Sequence, residues 1–247
     1  MKTFVVAGAS SGIGLTVCRK LTGRGDRVVM IARDKKRLEN AASDLGGPEN
    51  SHQCVAFDFT KTEEIAEFVK ESLGSVDADG LVYCVGNGNS QRLRSLTYGV
   101  LLPLMKSNFF SFVELLRVLI GKRANTEKQF NAVAVSSLAA THANARYYTG
   151  YTSSKAALEG AIRVLASELA LKNCAISAVK PGYVDTSRIE SDRLMHPDLE
   201  RYLRHSGFQP GGIIAPEAVA DLIVLMLDSN SMCYTGSIMP VAAGAIS

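Results

Sequence analysis

The chain has 247 residues, 47% of them hydrophobic, a composition typical of a globular protein with a substantial core. The formal net charge is only +3 and the charges form no single long run, which argues against a dedicated nucleic-acid-binding protein. The five cysteines are odd in number and form no C-x-x-C pair, so we expect a reducing compartment and no disulfide framework. The four histidines (His52, His142, His196 and His205) lack metal-ligand spacing, and we expect surface or supporting roles for them and no metal site.

The N-terminus leads directly into a strand-like segment, Thr3-Phe4-Val5-Val6-Ala7. It lacks the basic region, apolar core and cleavage site of a signal peptide. We also expect no apolar run that approaches the roughly 20 residues needed to span a bilayer. The sequence therefore predicts a soluble, cytoplasmic protein that does not engage a membrane.

Short apolar runs alternate with helical patterns along the whole chain. The predicted strands are 3–8, 27–32, 52–58, 79–85, 130–136, 174–180 and 236–241. The predicted helices are 12–24, 35–45, 61–74, 101–120, 151–172 and 216–228. Strand–helix alternation of this kind predicts βαβ units with right-handed crossovers. The expected fold is therefore α/β, a doubly wound parallel sheet of about seven strands with helices on both faces, in a single domain over residues 1–247.

Segment 186–215 is the least regular part of the chain and is rich in proline and glycine. It lies between a predicted strand and a predicted helix. We interpret it as a flap that covers the substrate, with a short helix near 192–205, rather than as a domain boundary.

A glycine-rich turn, Gly8-Ala9-Ser10-Ser11-Gly12-Ile13-Gly14, follows the first predicted strand and opens the first helix. Gly8 permits a tight turn, Gly12 lets the backbone approach a pyrophosphate, and Gly14 lets helix and strand pack closely. The helix N-terminus offers free N–H groups to the phosphates. The pattern predicts dinucleotide binding by this turn, including Ser10, Ser11 and Ile13; the alternative is a purely structural turn.

The end of the second predicted strand indicates which dinucleotide is bound. Ala32 stands where an acidic residue would read the ribose of NAD, and Arg33 follows it. A guanidinium group binds phosphate through two parallel hydrogen bonds, so Arg33 suits the 2′-phosphate of NADP. Asp34 keeps NAD open as the alternative, because its carboxylate could face a ribose. A solvated, basic helix start is the other interpretation of Arg33.

Tyr151 and Lys155 lie four residues apart at the start of the longest predicted helix, and therefore on one face of it. A neighbouring ammonium group favours phenolate and lowers a tyrosine pKa that starts near 10. Tyr151 is thus a candidate general acid or base. Tyr147 and Tyr148 are rivals, but neither has a lysine four residues further on, so we expect them to line or support the substrate pocket.

The glycine turn, the alternating elements and the Tyr151–Lys155 pair together resemble the short-chain dehydrogenase/reductase family over essentially the whole chain, most nearly its NADP-dependent 3-oxoacyl-ACP-reductase-like members. The resemblance implies a Rossmann-type fold, NADP (NADPH) as cofactor, and a homodimer or homotetramer. It implies catalytic roles for Ser137, Tyr151, Lys155 and Asn108. It implies cofactor contacts from Asp58, Phe59, Val85, Gly86, Pro181, Gly182, Val184 and Thr186, besides Tyr151, Lys155, Arg33 and the glycine turn. Substrate contacts are expected from Leu138, Tyr148 and Tyr183.

The mechanism implied by the resemblance moves hydride between nicotinamide and a carbonyl carbon. Ser137 would hydrogen-bond the carbonyl oxygen and Tyr151 would donate the proton. Lys155 would bind the ribose and lower the Tyr151 pKa, and Asn108 would hold a water that links Lys155 to solvent.

Three features depart from the family pattern. Tyr83-Cys84-Val85-Gly86 replaces Asn-Asn-Ala-Gly, so side-chain bonds that brace the sheet are lost or replaced, and Cys84 is expected to be a small buried residue. The interval from Ser137 to Tyr151 is one residue longer than expected, and Ser136, which is further from Tyr151 still, is a less favoured candidate than Ser137. The segment 241–244 also differs, which makes a dimer the safer expectation than a tetramer.

Three functions remain open from the sequence. The first is an NADPH-dependent ketoreductase acting on a 3-oxoacyl thioester or a related ketone. The second is a dehydrogenase of a sugar, steroid or other secondary alcohol, and the third is a non-catalytic NADP-binding regulator. Four arginines in predicted loops hint at an anionic substrate or carrier, although solvated surface arginines are the favoured explanation: Arg92, Arg94, Arg188 and Arg193.

Overall fold

The computed structural model describes residues 1–45, 52–88, 90–123, 127–141, 147–195, 197–228 and 231–245. Within them, one sheet contains seven strands: β1 (Thr3–Ala7), β2 (Arg27–Ala32), β3 (His52–Ala56), β4 (Gly80–Tyr83), β5 (Phe130–Val135), β6 (Cys174–Pro181) and β7 (Ile238–Val241). The helices are α1 (Gly12–Gly23), α2 (Lys35–Ser43), α3 (Ile65–Ser72), α4 (Tyr98–Met105), α5 (Ser111–Gly121), α6 (Thr149–Ala170), α7 (Glu190–Met195), α8 (Leu199–His205) and α9 (Pro216–Met226). Every strand pair is parallel, which confirms the predicted doubly wound sheet.

The strand order is β3-β2-β1-β4-β5-β6-β7, so the direction of winding reverses between β1 and β4. Ala7, at the end of β1, is level with Ile31 of β2 and with Tyr83 of β4. In open parallel sheets a crevice for ligands forms outside the carboxyl ends of the strands at such a reversal. The topology therefore places the expected site above Ala7 and Tyr83.

The core lies on both faces of the sheet. Val5 and Ala7 belong to the layer formed with α3, α5 and α6, whereas Phe4 and Val6 belong to the layer formed with α1, α2 and α9. Successive residues of a strand point to opposite faces. Because both faces are covered, the central strands are almost continuously apolar, as the sequence indicates.

Some predicted boundaries were wrong. The third strand ends at Ala56 rather than at residue 58, and Asp58 follows it in a turn. The predicted helix 101–120 begins earlier, at Tyr98, and is divided by a π-helical turn at Lys106–Phe110. The helix predicted near 192–205 is instead two helices, α7 and α8, on either side of residue 196, which lies outside the described residues together with His142.

The run Tyr98–Gly121 corrects the expectation about apolar segments, since it is long and apolar enough to span a membrane by length and composition, with a mean hydropathy of 1.3. In the fold, however, its α5 part packs into the core through Phe112 and Leu115. The opposite face of α5 carries an ion pair between Arg117 and Glu114. Packing against the sheet therefore accounts for the apolar face of α5, whereas α4 contributes no buried residue.

Candidate active site

The carboxyl ends of the central strands open into a cavity of about 1280 Å³. The predicted site residues in its walls are Gly8, Ser11, Gly12, Ile13, Gly14, Gly86, Ser137, Leu138, Tyr148, Tyr151, Lys155, Pro181, Gly182, Tyr183, Val184 and Thr186. Predicted residues that lie outside its lining are Ser10, Arg33, Asp58, Phe59, Val85 and Asn108. Sequence segments far apart in the chain thus meet at one place.

The glycine turn forms a close-fitting backbone cradle. Gly8 has φ +82°, and a Cβ there would lie 2.8 Å from the carbonyl carbon of Cys84. A Cβ on Gly14 would lie 2.3 Å from the carbonyl oxygen of Gly8, so helix α1 packs against the turn only without a side chain. Ser11, at the N-cap of α1, makes no side-chain capping bond, which leaves the helix N-terminus open towards the cavity. These features fit a dinucleotide pyrophosphate.

Arg33 and Asp34 at the end of β2 have different surroundings. The Asp34 carboxylate accepts a hydrogen bond from the backbone N–H of Arg37 at 2.9 Å and caps helix α2. Arg33 is exposed at the strand end. The Asp34 carboxylate, which the sequence left open as a ribose ligand, is therefore engaged in beginning helix α2.

Asp58 and Phe59 lie beside this end of the sheet. Asp58 Oδ1 accepts hydrogen bonds from the backbone N–H and the hydroxyl of Thr60, both at 2.9 Å. The Phe59 side chain is buried edge-on against Phe57 and Tyr83. Phe59 therefore serves the core with its ring, and only its backbone is available to a ligand.

Tyr151 and Lys155 project from the first turns of α6 into the cavity, and both are almost completely buried. Lys155 Nζ donates hydrogen bonds to the carbonyl oxygens of Val135 at 2.7 Å and Val85 at 3.4 Å. It lies 6.0 Å from the centre of the Tyr151 ring. The ends of β4 and β5 thus hold the ammonium group beside the phenol.

Opposing effects act on the pKa values of this pair. Burial raises the pKa of Tyr151, but Arg188, Lys155 and a hydrogen bond from Ser137 together outweigh it, so the Tyr151 pKa lies below its usual value. Burial lowers the pKa of Lys155, and the charge of Arg188 acts in the same direction. Tyr151 is therefore easier to ionise than an ordinary buried tyrosine.

The two serines after β5 have separate surroundings. Ser136 donates a hydrogen bond to the buried Glu159 carboxylate at 2.7 Å, away from Tyr151. Ser137 begins a 3-10 turn, accepts a hydrogen bond from the Ala139 N–H at 3.2 Å, and lies close enough to the Tyr151 hydroxyl to lower the Tyr151 pKa. Residues 142–146 of the Ser137–Tyr151 interval lie outside the described residues. The two ends of the interval nevertheless bring Ser137, and not Ser136, near the Tyr151 hydroxyl.

Asn108 lies in the π-helical turn and is fully buried. Its Oδ1 accepts hydrogen bonds from the Asn87 N–H at 2.8 Å and the Ser107 hydroxyl at 3.2 Å. Its Nδ2 donates to the Asn87 carbonyl at 2.7 Å and to the Ser154 hydroxyl at 2.8 Å. An amide group has two donors and two acceptor positions. Protein groups therefore occupy all four hydrogen-bonding positions of the Asn108 side chain. A water bound at Asn108 would have to bond to the backbone of that residue.

Tyr83 and Cys84 show how the altered motif after β4 is accommodated. Tyr83 is buried, and its hydroxyl donates to the Ser107 carbonyl at 2.5 Å and contacts the Ser111 hydroxyl at 2.5 Å. These bonds brace the sheet against the π-helical turn. Cys84 is partly buried rather than buried, and burial raises its pKa to about 12, which does not favour a nucleophile.

Arg188 is a site residue that sequence analysis did not separate from other loop arginines. Its guanidinium carbon lies 4.5 Å from the centre of the Tyr151 ring, and Nη1 donates to the Gly86 carbonyl at 2.9 Å. Arg193 instead pairs with Asp185 and Glu190, while Arg92 and Arg94 lie outside the cavity lining. No spacing in the sequence distinguishes Arg188, because its position depends on how the segment after β6 folds back.

No cluster of three or more His, Cys, Asp or Glu side chains suited to a metal ion occurs in the described ranges. The cradle, the cavity and the Tyr151–Lys155 pair together define the class of protein as a nucleotide-dependent oxidoreductase of the Rossmann type.

Comparison with known proteins identifies the family. The sequence pattern described as short chain dehydrogenase matches residues 2–196. The chain is 28% identical over 246 residues to 3-oxoacyl-[acyl-carrier-protein] reductase of Bos taurus, covering 98% of this chain and 97% of that protein. It is 29% identical to carbonyl reductase family member 4 of Danio rerio, covering 97% and 96%. It also resembles the crystal structure of L-sorbose reductase from Gluconobacter frateurii, solved with NADPH and L-sorbose: the TM-score is 0.86, with 26% identity and coverage of 100% and 97%. The chain belongs to the short-chain dehydrogenase family.

Proposed function

We propose that this protein is an NADPH-dependent ketoreductase that converts a ketone to a secondary alcohol. The observation that carries the proposal is the buried Tyr151, placed between Lys155 and Ser137 in the wall of a cavity that also contains the glycine cradle. Relatives named as 3-oxoacyl-[acyl-carrier-protein] reductase and carbonyl reductase support reduction of a carbonyl group.

NADPH, when bound, supplies a hydride to the carbonyl carbon. The Ser137 hydroxyl donates a hydrogen bond to the carbonyl oxygen and orients it. The Tyr151 hydroxyl gives that oxygen its proton as negative charge develops there. The Lys155 ammonium stabilises the phenolate left behind, and Asn108 holds the wall of the cavity in place through Asn87. Ketone, NADPH and one proton thus become secondary alcohol and NADP⁺.

Arg33 is the proposed determinant for NADPH over NADH. The capping bond of Asp34 supports this choice, since its carboxylate is engaged with helix α2. The guanidinium group at the strand end suits a 2′-phosphate. The structural relative with bound NADPH, L-sorbose reductase, agrees with it.

Segment 186–215 is proposed to cover the substrate. A small apolar cluster of its own supports this role, since Ile189, Leu199 and Leu203 pack together apart from the two main cores. We further expect a homodimer or homotetramer in the cytoplasm, to be checked by light scattering of the purified protein and by cell fractionation.

The test of the function is NADPH oxidation by purified protein with a panel of ketones, sugars and 3-oxoacyl thioesters. We expect turnover with at least one ketone, faster with NADPH than with NADH, and a loss of about 10²-fold or more in kcat for Tyr151→Phe. Tyr98→Phe, on an exposed part of α4, is the matched control and should leave kcat unchanged. Tight NADPH binding without turnover on the whole panel would show a non-catalytic binding protein instead.

A further inference from the structure

Two cationic groups converge on one point of the cavity beside the reacting tyrosine. A Cβ on Gly86 would lie 3.2 Å from Lys155 Nζ and 3.8 Å from Arg188 Nη1. The Arg188 guanidinium also lies over the Tyr151 ring, 4.5 Å from its centre. Positive charge is therefore concentrated where the carbonyl compound would meet Tyr151.

No carboxylate among the described residues pairs directly with Lys155 or Arg188, although the charge of Glu159 acts on Lys155 from a greater distance. Lys155 and Arg188 donate to backbone carbonyl oxygens, and no carboxylate of the described residues lies within 4.0 Å of the Arg188 guanidinium. Arg193, five residues further along, has two carboxylate partners. A guanidinium group has five N–H donors, so Arg188 retains several for a ligand after its bond to Gly86.

A negative charge also lies in the cavity lining, at Asp192, four residues after Arg188 in the chain. The Asp192 carboxylate accepts a hydrogen bond from the Tyr148 hydroxyl at 3.2 Å. Burial raises the pKa of Tyr148, and Asp192 adds to that rise, so the hydroxyl stays protonated. An anion entering the cavity is attracted by Arg188 and repelled by Asp192, which favours a position on the side of Arg188 away from Asp192.

We propose that Arg188 binds an anionic group that the substrate carries beside its reacting carbonyl, so that the preferred substrate is an oxo acid rather than a neutral ketone. The inference rests on the proposed ketoreductase function and specifies its substrate class. The carbonyl carbon gains hydride and its oxygen gains the proton, while the carboxylate is unchanged and pairs with the guanidinium group through two hydrogen bonds.

The experiment compares matched substrates that differ in the charge of one carboxyl group and in its methyl cap: acetoacetate with its methyl ester, and 4-oxopentanoate with its methyl ester. Wild type should have the higher kcat/KM for each acid. In Arg188→Met the acid-to-ester ratio of kcat/KM should fall about 10- to 100-fold, because any loss through the Tyr151 pKa is shared by acid and ester and cancels in the ratio. Arg188→Lys should restore part of the ratio, and Arg117→Met, on the exposed face of α5, should match wild type.

Three outcomes would overturn the inference. Equal losses for acid and ester would show that Arg188 acts on Tyr151 and not on a substrate anion. A weaker NADPH affinity with an unchanged ratio would assign Arg188 to the cofactor pyrophosphate. A wild-type preference for the esters would contradict the charge argument directly.

Equilibrium binding separates this inference from the proposed function. Calorimetry should detect 4-oxopentanoate binding to wild type with NADP⁺ bound. The Kd for Arg188→Met should be higher by about tenfold or more. If wild type turns over no carbonyl compound yet shows this difference, the ketoreductase proposal fails while the anion site stands. If binding is equal in both proteins, the anion site is refuted whatever the turnover.

Discussion

Asn108 connects two walls of the site, and its replacement by alanine should therefore lower both stability and activity. The change removes four hydrogen bonds to Asn87, Ser107 and Ser154. Ser154 keeps its bond to the Tyr151 carbonyl, and the exposed Asn87 can turn to water, so only part of the network is left unsatisfied. At about 1–3 kcal/mol for each buried group left without a partner, we expect a loss of about 2–4 kcal/mol. In a chain of this size that corresponds to a Tm lower by about 5–15 °C.

The activity of Asn108→Ala should fall about 10- to 100-fold in kcat/KM, because Ser154 and Tyr151 share the first turns of α6 and small displacements of reacting groups are costly. The matched control is Asn131→Ala, near the start of β5 and therefore at the end of that strand away from the cavity. Asn131 is equally buried and bonds the Leu227 carbonyl and the Ser231 hydroxyl, both at 2.7 Å. We expect a similar fall in Tm by calorimetry but normal kcat/KM at a temperature where both variants are folded. Equal activity losses, or an Asn108→Ala enzyme with full activity, would refute the positioning argument.

Four further outcomes follow from the site and its supports. Arg33→Ala should raise the NADPH Kd about tenfold in a fluorescence titration and leave the NADH Kd unchanged, whereas Asp34→Ala should cost about 1 kcal/mol of unfolding free energy without changing cofactor preference. Lys155→Met removes a charge that lowers the Tyr151 pKa. Reduction requires the neutral Tyr151 phenol, so the fall of kcat/KM at alkaline pH should move to higher pH in this variant. A fall at the same pH as in wild type would contradict the role of Lys155 in lowering the Tyr151 pKa. Tyr83→Phe should cost about 0.5–1.5 kcal/mol in urea unfolding, because the Ser107 carbonyl retains its bond from Ser111.

Local patterns in the sequence were sufficient to predict a contact where both residues lie on one element. Tyr151 and Lys155 meet because they lie four residues apart on α6, and the glycine turn takes its shape from adjacent positions. The parallel pairing of the strands follows from the alternation of strands and helices, since right-handed crossovers leave few arrangements. The catalytic and binding roles of these residues stay predictions until variants are measured.

Contacts between distant elements could not be predicted in this way. Tyr83 replaces an asparagine by reaching a carbonyl in the π-helical turn, and neither the turn nor its register has a sequence signature. The saturation of Asn108 depends on three other segments. Arg188 differs from other loop arginines only through the path of the chain after β6, which places it over Tyr151.

The position of β1 in the middle of the sheet also affects how the chain folds. One neighbour, β2, is nearby in sequence, but the other edge of β1 pairs with β4, and the backbone N–H of Thr3 donates to the Asp79 carboxylate across 76 residues. Closing so long a loop costs chain entropy before any pairing rewards it, and such non-local parallel pairing is slow. During synthesis the apolar first strand therefore remains open on one side until β4 has emerged, and the nucleotide crevice, which lies between these two strands, cannot form earlier.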